Sequence, residues 1–306
     1  MSGISATPAP ASSEPYGPAG RAPWLDVDWR EHQRWVTVED RPVNVVELGE
    51  GPPIVFVHGL GGSWTNWLEQ LPVFAASHRV IALDLPGFGH SPMPREQITI
   101  SHYGRVLDGV MDALKLDAAT VVGNSMGGFV STELAIAFPQ RVERLVLAAP
   151  AGISSYGSPD GLRLAMVVRR LRPLLTAQGQ WLSAHADAVA RRPLLRMATL
   201  SNIARYPSRL PPALAAEALR GAGKPGWVDA LAANLNYDFR HRLPEIACPT
   251  LVVWGDRDRI ITVRDADVFT ELIPNARKVI LPDTGHVPML ERPARFNELL
   301  EGFLSE

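Results

Sequence analysis

The chain has 306 residues, 46% of them hydrophobic and 20% charged, with a net charge of −2. That is enough apolar material for one large domain, or for a core carrying an insertion. The charge balance excludes a basic field for nucleic acid, and the single cysteine, Cys248, excludes an intrachain disulfide or a CxxC metal motif.

The first 22 residues are rich in Ser, Pro, Ala and Gly and lack the basic and apolar regions of a signal peptide. They are expected to form a disordered tail. Next comes a cluster of Trp24, Leu25, Trp29 and Trp35. Tryptophans favour membrane interfaces, so Trp24 and Trp29 leave a peripheral membrane contact open. The simpler reading is that they cover the first strands. No later stretch reaches the roughly 18 apolar residues of a membrane span, so a cytoplasmic protein is expected.

From Trp35 onward, short β-branched runs alternate with helical segments. Trp35–Val38 and Val43–Leu48 form a hairpin pattern that turns at Asp40, Arg41 and Pro42. Ile54–Val57 is a continuous apolar run, as expected of a strand buried on both faces. Val80–Asp84, Thr120–Gly123, Leu145–Ala148, Leu251–Trp254 and Lys278–Leu281 complete the strand candidates. Helices are expected near Trp64–Ala76, Ile100–Leu114, Gly127–Phe138, Val263–Ile273 and Pro293–Leu304. The alternation predicts an α/β fold with a mostly parallel sheet covered on both faces. It breaks between residues 151 and 244, where proline- and glycine-interrupted helical segments predict a helical cap. Residues 23–150 and 245–306 would then form the core. Cys248, before Pro249 and an apolar strand, reads as a buried structural thiol.

The chemistry-bearing motifs fall at the ends of these strands. Gly123-Asn124-Ser125-Met126-Gly127 is a G-x-S-x-G pentapeptide between a strand and a helix. A serine on such a turn is lifted clear of the sheet and faces the free N–H groups of the helix start. Its hydroxyl needs a base, and the base needs an orienting acid. His286, in Pro282-Asp283-Thr284-Gly285-His286 after the last strand, has the setting for the base. The acid comes from Trp254-Gly255-Asp256-Arg257-Asp258, where Asp258 is preferred and Asp256 is the alternative. Asp283 is expected to stabilise the turn. The oxyanion donors are assigned to the backbone N–H groups of Met126 and of Leu60, in the loop His58-Gly59-Leu60-Gly61-Gly62. His58 reads as support for that loop.

These motifs, with Asp84-Leu85-Pro86-Gly87-Phe88-Gly89-His90-Ser91, resemble the α/β-hydrolase superfamily from Trp35 to Phe303. The resemblance implies an eight-stranded mixed sheet, a helical cap after the sixth strand, and no metal or organic cofactor. Its G-x-x-D acid motif falls on Asp258. Serine at the elbow argues against haloalkane dehalogenase and epoxide hydrolase activity, whose nucleophile in this fold is aspartate. The sequence is therefore read as a serine esterase, lipase-like, acting on a small apolar ester or acyl substrate.

The second reading is a carbon–carbon bond hydrolase of ring-fission products, since Gly-Asn-Ser-Met-Gly-Gly resembles that branch. There the residue at Asn124 contacts substrate, but tryptophan usually stands where this chain has Val287. Asn124, Gly59 and Val287 are the expected substrate contacts. Arg169–Arg170 and Arg191–Arg192 would be available to a substrate carboxylate, or form a solvated helix face. Thioesterase, lactonase, haloperoxidase or perhydrolase activity, and a non-enzymatic ligand receptor, stay open. Leu162, Leu164, Met166, Leu171, Leu174, Leu175, Leu194, Leu195 and Met197 make the cap segment apolar.

Overall fold

A computed structural model describes residues 15–18, 20–154 and 166–306. Its sheet has eight strands: β1 (Gln33–Val38), β2 (Arg41–Leu48), β3 (Pro53–Val57), β4 (Arg79–Leu83), β5 (Ala119–Asn124), β6 (Val142–Ala148), β7 (Thr250–Gly255) and β8 (Ala276–Leu281). The strand order is β1-β2-β4-β3-β5-β6-β7-β8. β2 runs antiparallel to both β1 and β4, and all other pairs are parallel.

The central strands are apolar throughout because both faces are covered. Along β3, Val55 and Val57 join one core with the helices Ile100–Ala113 and Met126–Ala137, whereas Ile54 and Phe56 join the other with Trp67 and Phe296. This is the two-residue period of a strand. All eight strands lie at the predicted places, displaced by at most a few residues at their ends.

The chain leaves β3 for β4 on one side and then crosses to β5 on the other. The C-terminal ends of β3 and β5 are therefore a topological switch point, where open parallel sheets bind ligands. Val57 pairs with Gly123, and Asn124 with Ala148, so the loops after these strands emerge side by side.

Three expectations change, and the simpler reading of Trp24 and Trp29 holds. The single helix over Trp64–Ala76 is instead a 3₁₀ turn, Trp64–Trp67, and a short helix, Leu71–Phe74. Pro72 lacks an N–H and fits only the first turn of a helix, so it starts a new one. The N-terminal tail ends before residue 22: the Tyr16 hydroxyl donates to Glu291 Oε2 at 2.7 Å and Ala22 is buried. Residues 1–14 and 19 lie outside the described residues. Trp24 is buried and donates Nε1–H to Glu69 Oε1 at 2.7 Å, while Trp29 donates to the Trp24 carbonyl at 3.0 Å. Both indoles are spent inside the fold rather than offered to a membrane. Cys248 is only half-buried.

Between β6 and β7 the described residues form helices Arg172–Ala184, Ala186–Ala190, Pro193–Leu200, Pro212–Arg220 and Trp227–Leu235, with no strand among them. Leu162 and Leu164 lie outside the described residues. Pro173, Pro193 and Pro212 sit in the first turn of their helices, so the expected breakers act as starters. Among the described residues no helix is long and apolar enough to cross a membrane.

Glycine is required where the helix Met126–Ala137 meets β3. A Cβ on Gly127 would lie 2.5 Å from the His58 carbonyl oxygen and also meet the Val57 carbonyl. Gly127→Ala should therefore lower unfolding stability by about 1–3 kcal/mol, the usual cost of overpacking. Urea unfolding measures this, and an unchanged midpoint would contradict the packing described.

Candidate active site

Ser125 stands between β5 and the helix Met126–Ala137 with φ 54° and ψ −119°. A non-glycine residue pays strain there, so the surrounding contacts must hold it. Its N–H donates to the Ala148 carbonyl at 3.0 Å, and its carbonyl accepts from Phe129 and Ala151 at 3.0 and 3.1 Å. Its side chain does not cap the helix it opens, and among the described residues the hydroxyl has no hydrogen-bond partner.

The loop after β3 packs directly on this turn. A Cβ on Gly59 would lie 3.1 Å from Ser125 Cβ and 3.0 Å from Asn124 Oδ1. A larger residue at Gly59 would press on Asn124 and Ser125, so glycine lets this loop pack close to the serine. His58, fully buried, holds the loop from beneath. The Leu85 N–H donates to His58 Nε2 at 3.0 Å, so the proton is on Nδ1, which donates to the Gly59 carbonyl at 2.8 Å. Burial pushes the imidazole below its ordinary range, against the pull of the nearby Asp84 charge. A neutral His58, with both ring nitrogens hydrogen-bonded, supports the loop.

Asp84 anchors the same region from within. Its carboxylate accepts from the Trp64 and His90 N–H groups and from Asn44 Nδ2, each at 2.8 Å. Burial raises its pKa, but the hydrogen bonds, led by that from His90, hold the carboxyl below its usual range.

His286 follows β8. Its Nδ1–H donates to Asp258 Oδ2 at 2.7 Å. Asp258 is fully buried at its side chain and is fixed by Trp254 Nε1–H at 2.9 Å and by the Ile260 and Ile261 N–H groups at 2.8 and 3.0 Å. Asp256, half-exposed, instead accepts from the Thr284 N–H at 3.4 Å and pairs with Arg257. Of the two carboxylates, Asp258 is the one set against His286.

Asn124 joins the serine turn to the histidine loop. Its Nδ2 donates to the Ala148 carbonyl at 2.9 Å and to the His286 carbonyl at 3.3 Å. Ser125 and His286 are thus neighbours, although no hydrogen bond joins their side chains among the described residues. Val287 is buried in the core cluster on that side of the sheet.

A residue missed in the sequence is Glu291, fully buried in the helical turn after His286. Its carboxylate accepts from the N–H groups on either side of His286, Gly285 at 3.0 Å and Val287 at 3.3 Å. It also accepts from the Arg205 N–H and the Tyr16 hydroxyl, each at 2.7 Å. The His286 N–H in turn donates to the Ile203 carbonyl at 2.8 Å. Asp283 does more than stabilise its turn, accepting from Tyr206 Oη at 2.9 Å and Arg205 Nε at 3.3 Å. One carboxyl therefore clamps the histidine loop, the inserted segment and the N-terminal segment. The only signal in the sequence was its spacing of five from His286, too short-range to reveal partners so distant in the chain.

A cavity of about 290 Å³ abuts the site, walled by Leu60, Leu175, Leu182, Ile203 and Trp227. Among the described residues, Lys224 is the only ionisable side chain on its walls. Arg169, Arg170, Arg191 and Arg192 are exposed and do not line it. Among the described residues the one cluster with metal-ligand spacing, Glu39, Glu96 and His102, lies at a separate cavity. There Glu96 is engaged by Arg105 and Glu39 by His102.

The family model for the alpha/beta hydrolase fold matches residues 52–293. The chain belongs to the α/β-hydrolase family, and it is a hydrolase. It is 32% identical over 272 residues to the 2-hydroxy-6-oxo-2,4-heptadienoate hydrolase of Pseudomonas putida, covering 86% of this chain and 92% of that protein. It is also 32% identical over 259 residues to the dihydrolipoyllysine-residue acetyltransferase component of the acetoin cleaving system of Cupriavidus necator, covering 84% of this chain. It spans only 64% of that second relative's length. Among solved structures it is similar to the enol-lactonase from Burkholderia xenovorans LB400, with TM-score 0.71, 27% identity, and 89% and 100% of the two chains covered.

Removing the Glu291 carboxylate should leave four donors without their partner. Glu291→Ala is expected to cost more than about 3 kcal/mol of unfolding stability, given about 1–3 kcal/mol for each buried donor left unpaired. Burial raises the Glu291 pKa against its hydrogen bonds. A raised folded-state pKa stabilises most at low pH, and that contribution is lost as pH climbs through it. The gap between wild type and variant should therefore narrow as pH rises above the ordinary glutamate range. Chemical unfolding across pH measures both, and a widening gap would contradict the assignment.

Proposed function

We propose that this hydrolase cleaves carboxylic esters through Ser125, His286 and Asp258. The observation that carries this reading is the 2.7 Å bond from His286 Nδ1–H to a buried Asp258, beside a strained serine whose hydroxyl has no hydrogen-bond partner among the described residues. His286 takes the proton of Ser125 Oγ as that oxygen attacks the ester carbonyl. Asp258 fixes the imidazole tautomer and stabilises its charged form. The N–H groups of Leu60 and Met126 hold the oxyanion. The alcohol leaves with the proton returned by His286, and water activated by the same imidazole releases the acid. Hydrogen bonds between nucleophile and base commonly tighten only when substrate binds. The helices between β6 and β7 act as the cap, and the 290 Å³ cavity beneath them receives the acyl group. Gly59 and Val287, expected to meet the substrate, are not among the residues that line that cavity, and Val287 is buried in the core.

A second reading, carbon–carbon bond hydrolysis of a dienoate, is favoured by the full-length likeness to the heptadienoate hydrolase. In that reading Lys224, on the cavity wall, meets the substrate carboxylate. Asn124 is less available to substrate than the resemblance implies, because its Nδ2 is already shared between two carbonyls.

Release of p-nitrophenol from acyl esters of increasing length, measured beside decay of a 2-hydroxy-6-oxo-dienoate, separates the two. Fast ester turnover with slow dienoate decay supports the esterase, and the reverse overturns it. Ser125→Ala should lower kcat by about 10⁶-fold. Asp258→Asn should lower it by about 10⁴-fold, because the imidazole tautomer is then wrong. Asp256→Asn should leave it within about threefold.

A further inference from the structure

The insertion carries apolar side chains that the fold does not use. On the helix Arg172–Ala184, Leu175 and Leu182 face the cavity. One residue before each, Leu174 and Trp181 face solvent, 64% and 59% exposed. One residue is about 100° around a helix, so they stand at the rim of the same cavity wall. The neighbouring helix Pro193–Leu200 repeats the arrangement. Thr199 and Leu200 line the cavity, while Leu194 is 77% and Met197 46% exposed. A soluble helix normally turns one apolar stripe inward and a polar one outward. Here two helices around one cavity present apolar groups on both.

Among the described residues, the charge on these helices and their flanks that has no ion-pair partner is positive. Arg169, Arg170, Arg191 and Arg192 are all exposed, and none has an acidic partner among the described residues. Other cations nearby are neutralised: Arg172 pairs with Asp229, and Arg220 with Asp187 and Glu217. Apolar and tryptophan side chains flanked by arginines that have no acidic partner among the described residues match the interface of an anionic lipid layer. Self-association would fit less well, since a two-fold contact through this face would set the arginines of one copy against those of the other.

We propose that the helices Arg172–Ala184 and Pro193–Leu200 form a docking face for an anionic lipid surface. Leu174, Trp181, Leu194 and Met197 enter the headgroup layer while the four arginines meet lipid phosphates. The cavity mouth is then held at the surface, where apolar esters collect. That last consequence rests on the proposed esterase activity, but the docking itself does not.

The test is co-sedimentation of the full chain with vesicles of phosphatidylglycerol and phosphatidylcholine, or of phosphatidylcholine alone. The expected result is binding to the anionic vesicles, at least tenfold weaker with phosphatidylcholine alone and weakened by salt. Leu174→Ser with Leu194→Ser should weaken it at least tenfold, as should Arg191→Glu with Arg192→Glu. Both pairs should keep wild-type turnover of a water-soluble ester, which shows that they fold. Wild type left in the supernatant at low salt, or binding indifferent to both pairs, overturns the proposal. A dimer in sedimentation velocity that Leu194→Ser dissociates also overturns it, in favour of a second copy as occupant. Absence of ester turnover alongside the expected vesicle binding would overturn the esterase reading alone.

Discussion

The constraint on which the site depends is the turn at Ser125. A serine at φ 54° is held only if its neighbours are small and its backbone is tied on both sides. Gly123 and Gly127 meet each other across the turn, and Gly127 presses against the carbonyls of Val57 and His58. The same contacts fix the loop after β3, because Gly59 lies over the serine. A strained residue, a loop of backbone donors and a switch point in the sheet are thus one packing arrangement.

The histidine arrives from the far end of the chain, and its placement needs more than its acid. Asp258 holds the ring, Glu291 holds the backbone on both sides of it, and Asn124 ties its carbonyl to the serine strand. Glu291 also reaches Arg205 in the insertion, and Ile203, which accepts from the His286 N–H, lines the cavity. The cavity walls are hydrogen-bonded to the loop that carries His286. Hydrogen bonds thus tie the insertion directly to the backbone on and around His286.

Most of the sheet was legible because central parallel strands must be apolar on both faces, so Ile54–Val57 and Leu251–Trp254 stand out as short runs. The elbow, the Asp258 turn and His286 were legible because each is a local motif beside a strand. Other features depend on long-range contact. Glu291 looks like any charged residue near the chain end until Tyr16 and Arg205 are seen on it. Tyr16 itself sits in a segment whose composition reads as a tail. The break in the expected helix at Trp64–Ala76 was visible in Pro72, but the period of apolar residues around it outweighed that one signal. In the insertion, period alone could not tell Leu175, which lines the cavity, from Leu174, which faces solvent.

The central claim is that Ser125 is a nucleophile activated by His286. It is tested most directly by intact-protein and peptide mass spectrometry after exposure to a fluorophosphonate. The account predicts one adduct per chain, on the peptide that contains Ser125, formed at least about 10²-fold more slowly in His286→Ala, the lower end of what a general base contributes. An unlabelled Ser125, an adduct on another residue, or equal labelling rates with and without His286 would contradict it.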